Sequence, residues 1–191
     1  DSSKIKLLYD PVLIVKEINR KKKQENLKFK NYFLSVGRLT RQKNFLFLCK
    51  AVKKIVDQNK NYKLVIAGEG EDKNKLKNFI DKNNLNNNII LLGHVENIYP
   101  YFVNSNGFIL SSLWEDPGFV LVEAAFCRKL VLTSNSWPGP VELIKDSYNG
   151  IIYENNNINS FIEKFDLLIN YKDKKLLKLN NLKNIKKFTI F

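Results

Sequence analysis

The 191-residue chain has no methionine, a single histidine and two cysteines, and no apolar run near the roughly 18 residues that a membrane-crossing helix requires. Each scarcity narrows the reading. With no methionine even at position 1, the chain is expected to be a piece of a longer protein. The opening Asp1-Ser2-Ser3 lacks the apolar core of a secretory signal. The one histidine, His94, has no second histidine with which to frame a metal site. Cys49 and Cys127 stand alone on apolar stretches without a CxxC partner, so they read as buried free thiols in a reducing, cytoplasmic compartment and not as a disulfide framework.

Positive charge is what the chain has in excess. Its 32 Lys and Arg against 19 Asp and Glu give a formal charge of +13. That favours an anionic partner: a diphosphate, an anionic membrane face touched peripherally, or nucleic acid. The lysines are dispersed with asparagines along nearly every segment, as on a solvated surface of biased composition. A nucleic-acid module would need a recognition helix or base-stacking aromatics. The aromatics here fall mostly on core-facing stripes, so no nucleic-acid partner is expected, and a Rossmann-like nucleic-acid or other binding module stays as the alternative.

Short apolar runs rich in branched residues occur at 6–9, 32–36, 64–67, 89–92, 107–110, 130–133 and 150–153, and read as buried strands. Between them Phe45, Leu48, Cys49, Val52, Ile55 and Val56 fall at helical spacing. Further helices are expected at about 72–84, 96–104, 118–127, 140–146, 158–171 and 174–187. The alternation predicts an α/β fold, a doubly wound parallel sheet with helices on both faces, whose ligand edge lies at the carboxyl ends of the strands. Residues 1–11 read as a linker, 12–187 as the domain and 188–191 as a tail, while 10–30 fit the alternation poorly and Lys21 to Asn26 reads as a charged helix end or loop.

Two stretches carry chemistry. Gly37-Arg38-Leu39-Thr40-Arg41-Gln42-Lys43 follows the second strand, where a guanidinium and an ammonium on one loop suit a diphosphate. They could equally be two ordinary cations of a lysine-rich surface. Ser112-Leu113-Trp114-Glu115-Asp116-Pro117-Gly118-Phe119 precedes an apolar helix that carries Glu123. Pro117 and Gly118 mark the turn into that helix, with free amides near Gly118 and Phe119. The surrounding run from Phe119 to Phe126 is otherwise apolar and expected to be buried, so the Glu123 carboxylate needs either an internal cation or a donor pair such as a ribose diol.

Gly37-Arg38-Leu39 with Lys43, Gly68-Glu69-Gly70, Leu92-Gly93-His94-Val95, Glu115 to Glu123, and Pro138-Gly139-Pro140-Val141-Glu142 follow in that order. Together they resemble the C-terminal, donor-binding domain of the retaining glycosyltransferases with the GT-B fold, the large "glycosyl transferases group 1" family, over nearly the whole chain. The resemblance implies a retaining hexosyltransferase that uses a UDP- or GDP-sugar to build a surface polysaccharide or glycoconjugate. Arg38 and Lys43 would hold the donor diphosphate and stabilise the leaving group, and Glu123 the ribose. Glu115 would sit beside the donor sugar, with backbone groups of Asp116, Pro117, Gly118 and Phe119 nearby, and Gly93, His94 and Val95 would hold the base. It implies no metal and no cofactor. It also implies an N-terminal domain that binds a glycan or lipid-linked acceptor, and this chain by itself is expected to be inactive. Pro117 departs from the aromatic that many members carry, which leaves the donor sugar open. A related GT-B epimerase or phosphorylase remains an alternative.

Overall fold

The computed structural model describes residues 11–23 and 30–190. The strand expected at 6–9, all of the expected linker except Pro11, and the last part of the charged 21–26 stretch lie outside the described residues. In chain order the elements are β1 (Leu13–Ile14), α1 (Val15–Lys21), β2 (Phe33–Val36), α2 (Phe45–Gln58), β3 (Leu64–Ala67), α3 (Lys73–Lys82), β4 (Ile89–Gly93), α4 (Tyr99–Asn104) and β5 (Gly107–Leu110). After these come α5 (Phe119–Phe126), β6 (Leu130–Ser134), α6 (Gly139–Leu143), β7 (Ile151–Tyr153), α7 (Ile158–Ile169), α8 (Lys174–Asn184) and β8 (Thr189–Ile190). Short 3-10 turns cover Arg41–Lys43 and Ile185–Phe188.

The main sheet has six strands, all parallel, in the order β4-β3-β2-β5-β6-β7. Alternate strand residues face opposite sides, as the pleat requires. Phe33, Leu64, Ile66, Ile109 and Leu132 join one core with α2 and α7, while Leu34, Val65, Phe108, Leu110 and Val131 join another with α5 and Phe102 of α4. Both faces are therefore covered, which is why these strands read as continuous apolar runs. Cys49 and Cys127 are free and buried in these cores, and burial pushes their thiols up to about 12 and about 11. Among the described residues no helix is long and apolar enough to cross a membrane.

The chain winds outward from β2 through β3 to β4, then returns to β5 and winds the other way. Such a switch point opens a crevice at the carboxyl ends of the two central strands. Here β2 and β5 pair only at Phe33↔Gly107 and Leu34↔Phe108. Beyond that the Ser35 hydroxyl donates to the Ile109 carbonyl at 2.7 Å, so a side chain holds the strands where the ladder stops.

The poor fit of residues 10–30 has a physical source. Helix α1 is short and contains the β-branched Val15 and Ile18, weak helix formers that are stable here through docking and not through propensity. Ile18 is buried, Asn97 donates its amide to the Lys21 carbonyl at 3.1 Å, and Lys22 lies 3.8 Å above the Phe126 ring while donating to the Phe126 carbonyl. At the other end Phe188 enters the second core, and Thr189–Ile190 pairs in parallel with Leu13–Ile14. Residues 188–190 thus pack with the domain.

The loops after β2, β3 and β4 are stitched edge to edge. Gly37 N donates to Ala67 O at 3.0 Å, Leu39 N to Glu69 O at 2.8 Å and Gly68 N to Gly93 O at 2.8 Å. That closeness explains the Gly68-Glu69-Gly70 stretch, because a Cβ at Gly68 would lie 1.9 Å from the Gly37 carbonyl oxygen, with φ at +145°. Gly68→Ala is expected to destabilise the chain by on the order of 3 kcal/mol, measured by urea denaturation. A loss under about 1 kcal/mol would mean that the loops can separate.

Candidate functional site

Two loops meet at the switch point, one from β2 and one from β5. The 3-10 turn Arg41–Lys43 ends in Asn44, which takes a left-handed conformation and starts α2. Backbone and hydroxyl groups then tie this turn to the other loop. Leu113 N donates to Gln42 O at 2.8 Å, Ser111 Oγ to Lys43 O at 2.7 Å and Gln42 Nε2 to Trp114 O at 3.0 Å. From the β6 side, Ser134 Oγ donates to Ser112 O at 2.7 Å and Gly139 N to Glu115 O at 2.9 Å. Gly139 is required there because a Cβ would lie 2.3 Å from the Pro117 carbonyl oxygen.

Inside this frame Lys43 Nζ lies 2.5 Å from Glu115 Oε2, and Ser112 Oγ donates to the same oxygen at 2.7 Å. The Glu115 side chain is 9% exposed and that of Lys43 13%, so the pair is nearly dry. Charge pairing in such a place is strong, and losing one partner strands the other. The ammonium still has donors left for a second acceptor, since it carries three.

Arg38 is exposed, and among the described residues no acceptor engages its guanidinium. It lines a cleft of about 470 Å³ together with Gly37, Gly68, His94, Val95 and Ile98. His94 and Val95 also border a second hollow of about 520 Å³, together with Arg20, Lys21 and Asn97. Gly93 adopts φ +75° at the turn into this loop, and a Cβ there would meet Glu69 Oε1 at 2.7 Å. The structure thus gathers Arg38, His94 and Val95 around one opening, with Gly93 at the turn that leads into it. Among the described residues no group of His, Cys, Asp or Glu is arranged to hold a metal ion.

Asp116 and Pro117 are exposed on the rim, and Gly118 begins α5 with φ +80°. No side chain caps that helix start. A helix N-terminus left open in this way presents amide donors to an anion. The expectation that Phe119 to Phe126 is buried all round needs correction. Phe119, Val120, Glu123 and Phe126 are only half-buried, and their spacing places them on one face of α5. Tyr99 of α4 and Lys22 lie against that face without closing it, so the helix is apolar without being enclosed.

Glu123 sits on this half-open face, apart from the Lys43–Glu115 pair. Tyr99 Oη of α4 donates to Glu123 Oε1 at 3.1 Å. Burial raises the carboxyl pKa above its ordinary range, against smaller opposing effects from the Tyr99 hydrogen bond and the Lys21 charge. No internal cation neutralises it within ion-pair distance among the described residues. Tyr99 and Arg20 were not singled out in the sequence, where nothing about a tyrosine or an arginine in these runs marks them as neighbours of the site; Ser112 was legible only as the start of the Glu115 stretch and not as its hydrogen-bond donor.

With this geometry in view, comparison with known proteins gives a consistent answer. The profile of the family described as Glycosyl transferases group 1 matches residues 15–186. The N-acetylgalactosamine-N,N'-diacetylbacillosaminyl-diphospho-undecaprenol 4-alpha-N-acetylgalactosaminyltransferase of Campylobacter jejuni is 32% identical over 176 residues, which is 92% of this chain and 46% of that protein. The UDP-Gal:alpha-D-GlcNAc-diphosphoundecaprenol alpha-1,3-galactosyltransferase of Escherichia coli is 35% identical over 150 residues, 77% of this chain and 38% of that protein. The chain therefore spans less than half the length of these curated relatives. Among solved structures, the C-terminal domain of the group 1 protein LpcC from Francisella tularensis superposes with a TM-score of 0.75 at 19% identity, covering 96% of this chain and all (100%) of that one. The pneumococcal O-GlcNAc transferase GtfA in complex with UDP and GlcNAc superposes with a TM-score of 0.77 at 18% identity, over 94% of this chain and 35% of that one.

Two outcomes test the electrostatics. Lys43→Met should cost on the order of 3 kcal/mol in urea denaturation because it strands the Glu115 carboxylate, and Lys43→Met with Glu115→Leu should recover most of that loss. Glu123 follows the opposite sign. Its folded-state pKa is raised, so the ionised form destabilises the fold at neutral pH, and that cost disappears as pH falls through the folded pKa toward the unfolded one. Glu123→Gln, which keeps an acceptor for Tyr99, should melt higher than the parent at pH 7, with the gap closing toward pH 4. A constant gap across that range would show that Glu123 is not titrating as its burial requires.

Proposed function

The chain belongs to the glycosyl transferases group 1 family, and on that premise we propose that it is the donor domain of a retaining glycosyltransferase that binds a UDP-sugar at the switch-point crevice. The observation that carries the reading is the grouping of Arg38 with His94 and Val95 around one cleft, with Lys43 and Glu115 at the neighbouring loop junction. In the proposed arrangement the base lies against the Gly93–Val95 backbone and the ribose hydroxyls donate to Glu123, displacing the weak Tyr99 interaction. Arg38 and Lys43 take the diphosphate, with the uncapped α5 amides beside it.

The proposed reaction breaks the bond between the sugar anomeric carbon and the diphosphate oxygen and forms one to an acceptor hydroxyl oxygen, whose proton departs. Negative charge builds on the leaving UDP. Cations fixed toward that position lower the barrier, and in this reading they act without a metal ion. Glu115 plays two parts: it holds the Lys43 ammonium in place and presents its remaining oxygen to the donor sugar. The choice of UDP over GDP is supported by the similarly folded enzymes solved with UDP, including GtfA and HepE of Anabaena. The C. jejuni and E. coli relatives carry acceptors linked to diphospho-undecaprenol, which supports a lipid-linked glycan as acceptor here. Acceptor binding is assigned to a further domain, so this chain alone should bind donor and turn over poorly. The buried free thiols fit a cytoplasmic setting.

Calorimetric titration of the chain with UDP and with GDP, in the presence of EDTA, tests the proposal. UDP should bind saturably, Arg38→Ala and Glu123→Ala should each weaken it by at least about tenfold, and adding Lys43→Ala to Arg38→Ala should weaken it further. UDP affinity unchanged in the Arg38→Ala and Glu123→Ala variants would place the nucleotide elsewhere and sink the assignment.

A further inference from the structure

The chain has two tryptophans, and both are exposed. Trp114 follows β5 with 49% of its surface open, and Trp137 follows β6 with 73%. The other exposed large apolar side chains lie elsewhere, on α4, α7 and α8, on the end strands β1 and β8, and at Tyr148 before β7. Among the described residues neither indole has a ring partner or a hydrogen bond to its nitrogen. Tryptophan is ordinarily buried over most of its area and finds an acceptor for its N–H. Two left open on adjoining loops need a reason.

The two side chains leave neighbouring backbone positions. Glu115 and Pro138 form a parallel bridge, and Trp114 and Trp137 each stand one residue before it. The backbone beneath them is fixed. The consecutive carbonyls of Leu113, Trp114 and Glu115 accept from Asn155 Nδ2 at 2.8 Å, Gln42 Nε2 at 3.0 Å and Gly139 N at 2.9 Å. On the other loop Asn135 N donates to Tyr153 O at 2.9 Å, and Asn135 Oδ1 accepts from Asn155 N at 2.7 Å. The indoles are therefore open on a pinned frame, which lowers the ordering cost of binding. Polar groups stand beside them. Among the described residues the exposed Asp116 carboxylate engages no partner, and neither does the amide nitrogen of exposed Asn135.

This mixture favours one kind of occupant. A docked protein surface calls for a continuous apolar patch, and no large aliphatic side chain is exposed on these two loops. A pyranose ring needs what is present. It offers a face of C–H groups to a flat aromatic and an edge of hydroxyls that both donate and accept. The indoles suit the first, and Asp116 as acceptor with Asn135 as donor suits the second. We propose that Trp114 and Trp137 form a stacking platform for a pyranose ring of the acceptor glycan. The donor sugar is a different ring: in the donor reading it lies at the Glu115 carboxylate, which is buried against Lys43, whereas the indoles open to solvent from the loops around it. The inference rests on that reading for the role of the ring and not for its binding. The platform adds one subsite to the acceptor binding assigned to the further domain.

The test is a proton–nitrogen correlation NMR titration of the full chain, its two indole N–H signals assigned through Trp114→Phe and Trp137→Phe. Methyl α-glycosides of glucose, galactose, N-acetylglucosamine and N-acetylgalactosamine are added without nucleotide, with sorbitol as an open-chain polyol control. At least one glycoside should shift both indole signals saturably, and sorbitol should shift neither. Trp114→Ala and Trp137→Ala should each weaken that binding by at least about fivefold while leaving the melting temperature and UDP affinity unchanged. The phenylalanine variants, which keep a ring, should lose less. No shift with any glycoside, or equal shifts with sorbitol, would overturn the platform, and UDP binding in the same sample would show that the donor reading survives it. Shifts that appear with UDP-N-acetylglucosamine but with no free glycoside would give the ring to the donor and overturn the proposal as well. Glycoside binding without UDP binding would uphold the platform and remove the donor reading instead.

Discussion

Strands β2 and β5 pair at two register positions and then part, and the Lys43–Glu115 ion pair spans the loops that follow them. Much of the site depends on that closure. Glu115 is held from its backbone by Gly139, from its carboxylate by Lys43 and Ser112, and its loop is pinned by Gln42 and Ser134. A carboxylate this dry is tolerable only because each contact is a donor, and a pair of this kind favours one loop arrangement more than it adds stability. The opening between the strands therefore comes with fixed walls. A ligand arriving there finds donors that need little reorganisation.

The two glutamates, eight positions apart, sit in contrasting surroundings. Glu115 has an ammonium and a hydroxyl within hydrogen-bond reach, while Glu123 has one phenol and a protein interior that disfavours its charge. The first is satisfied by the fold and the second is under-satisfied by it. A half-buried carboxylate whose fold supplies fewer donors than it can accept carries a stored cost, a feature more common at functional sites than elsewhere.

How much of this could be read in the sequence depends on the range of the interaction. The six sheet strands and the helices between them follow from local patterns of apolar residues, and their ends shift by only a few positions in the structure. The loops after β2 and β5 were legible because strand ends are ligand edges in any doubly wound sheet. Helix α1 was not, because Ile18 and its neighbours fold through docking against α4 and α5 and not through periodicity. The Lys43–Glu115 pair joins residues 72 positions apart, and nothing in either run announces the other. The half-open face of α5 escaped for a related reason: an apolar helix reads as enclosed whether or not a neighbour covers all of it. Gly68 and Gly139 were visible as letters, but their necessity lies in carbonyl oxygens of other loops.

A parallel sheet makes its two edges electrostatically unequal. At the carboxyl edge the helices begin, and their free amides favour anions. At the amino edge they end, and their carbonyls favour cations. Arg38 and Lys43 stand at the carboxyl edge, where their positive charge adds to the attraction for an anion. Lys129 acts with the second by satisfying the last carbonyls of α4. Lys174 and Lys175 act against both, because they stand at a helix start whose adjacent anion, Asp173, is engaged by the Leu176 amide. The charge excess of this chain is therefore not one uniform surface property. It includes cations that local dipoles explain, cations at the switch-point crevice, and a group around Arg128 and α8 that forms no ion pair among the described residues.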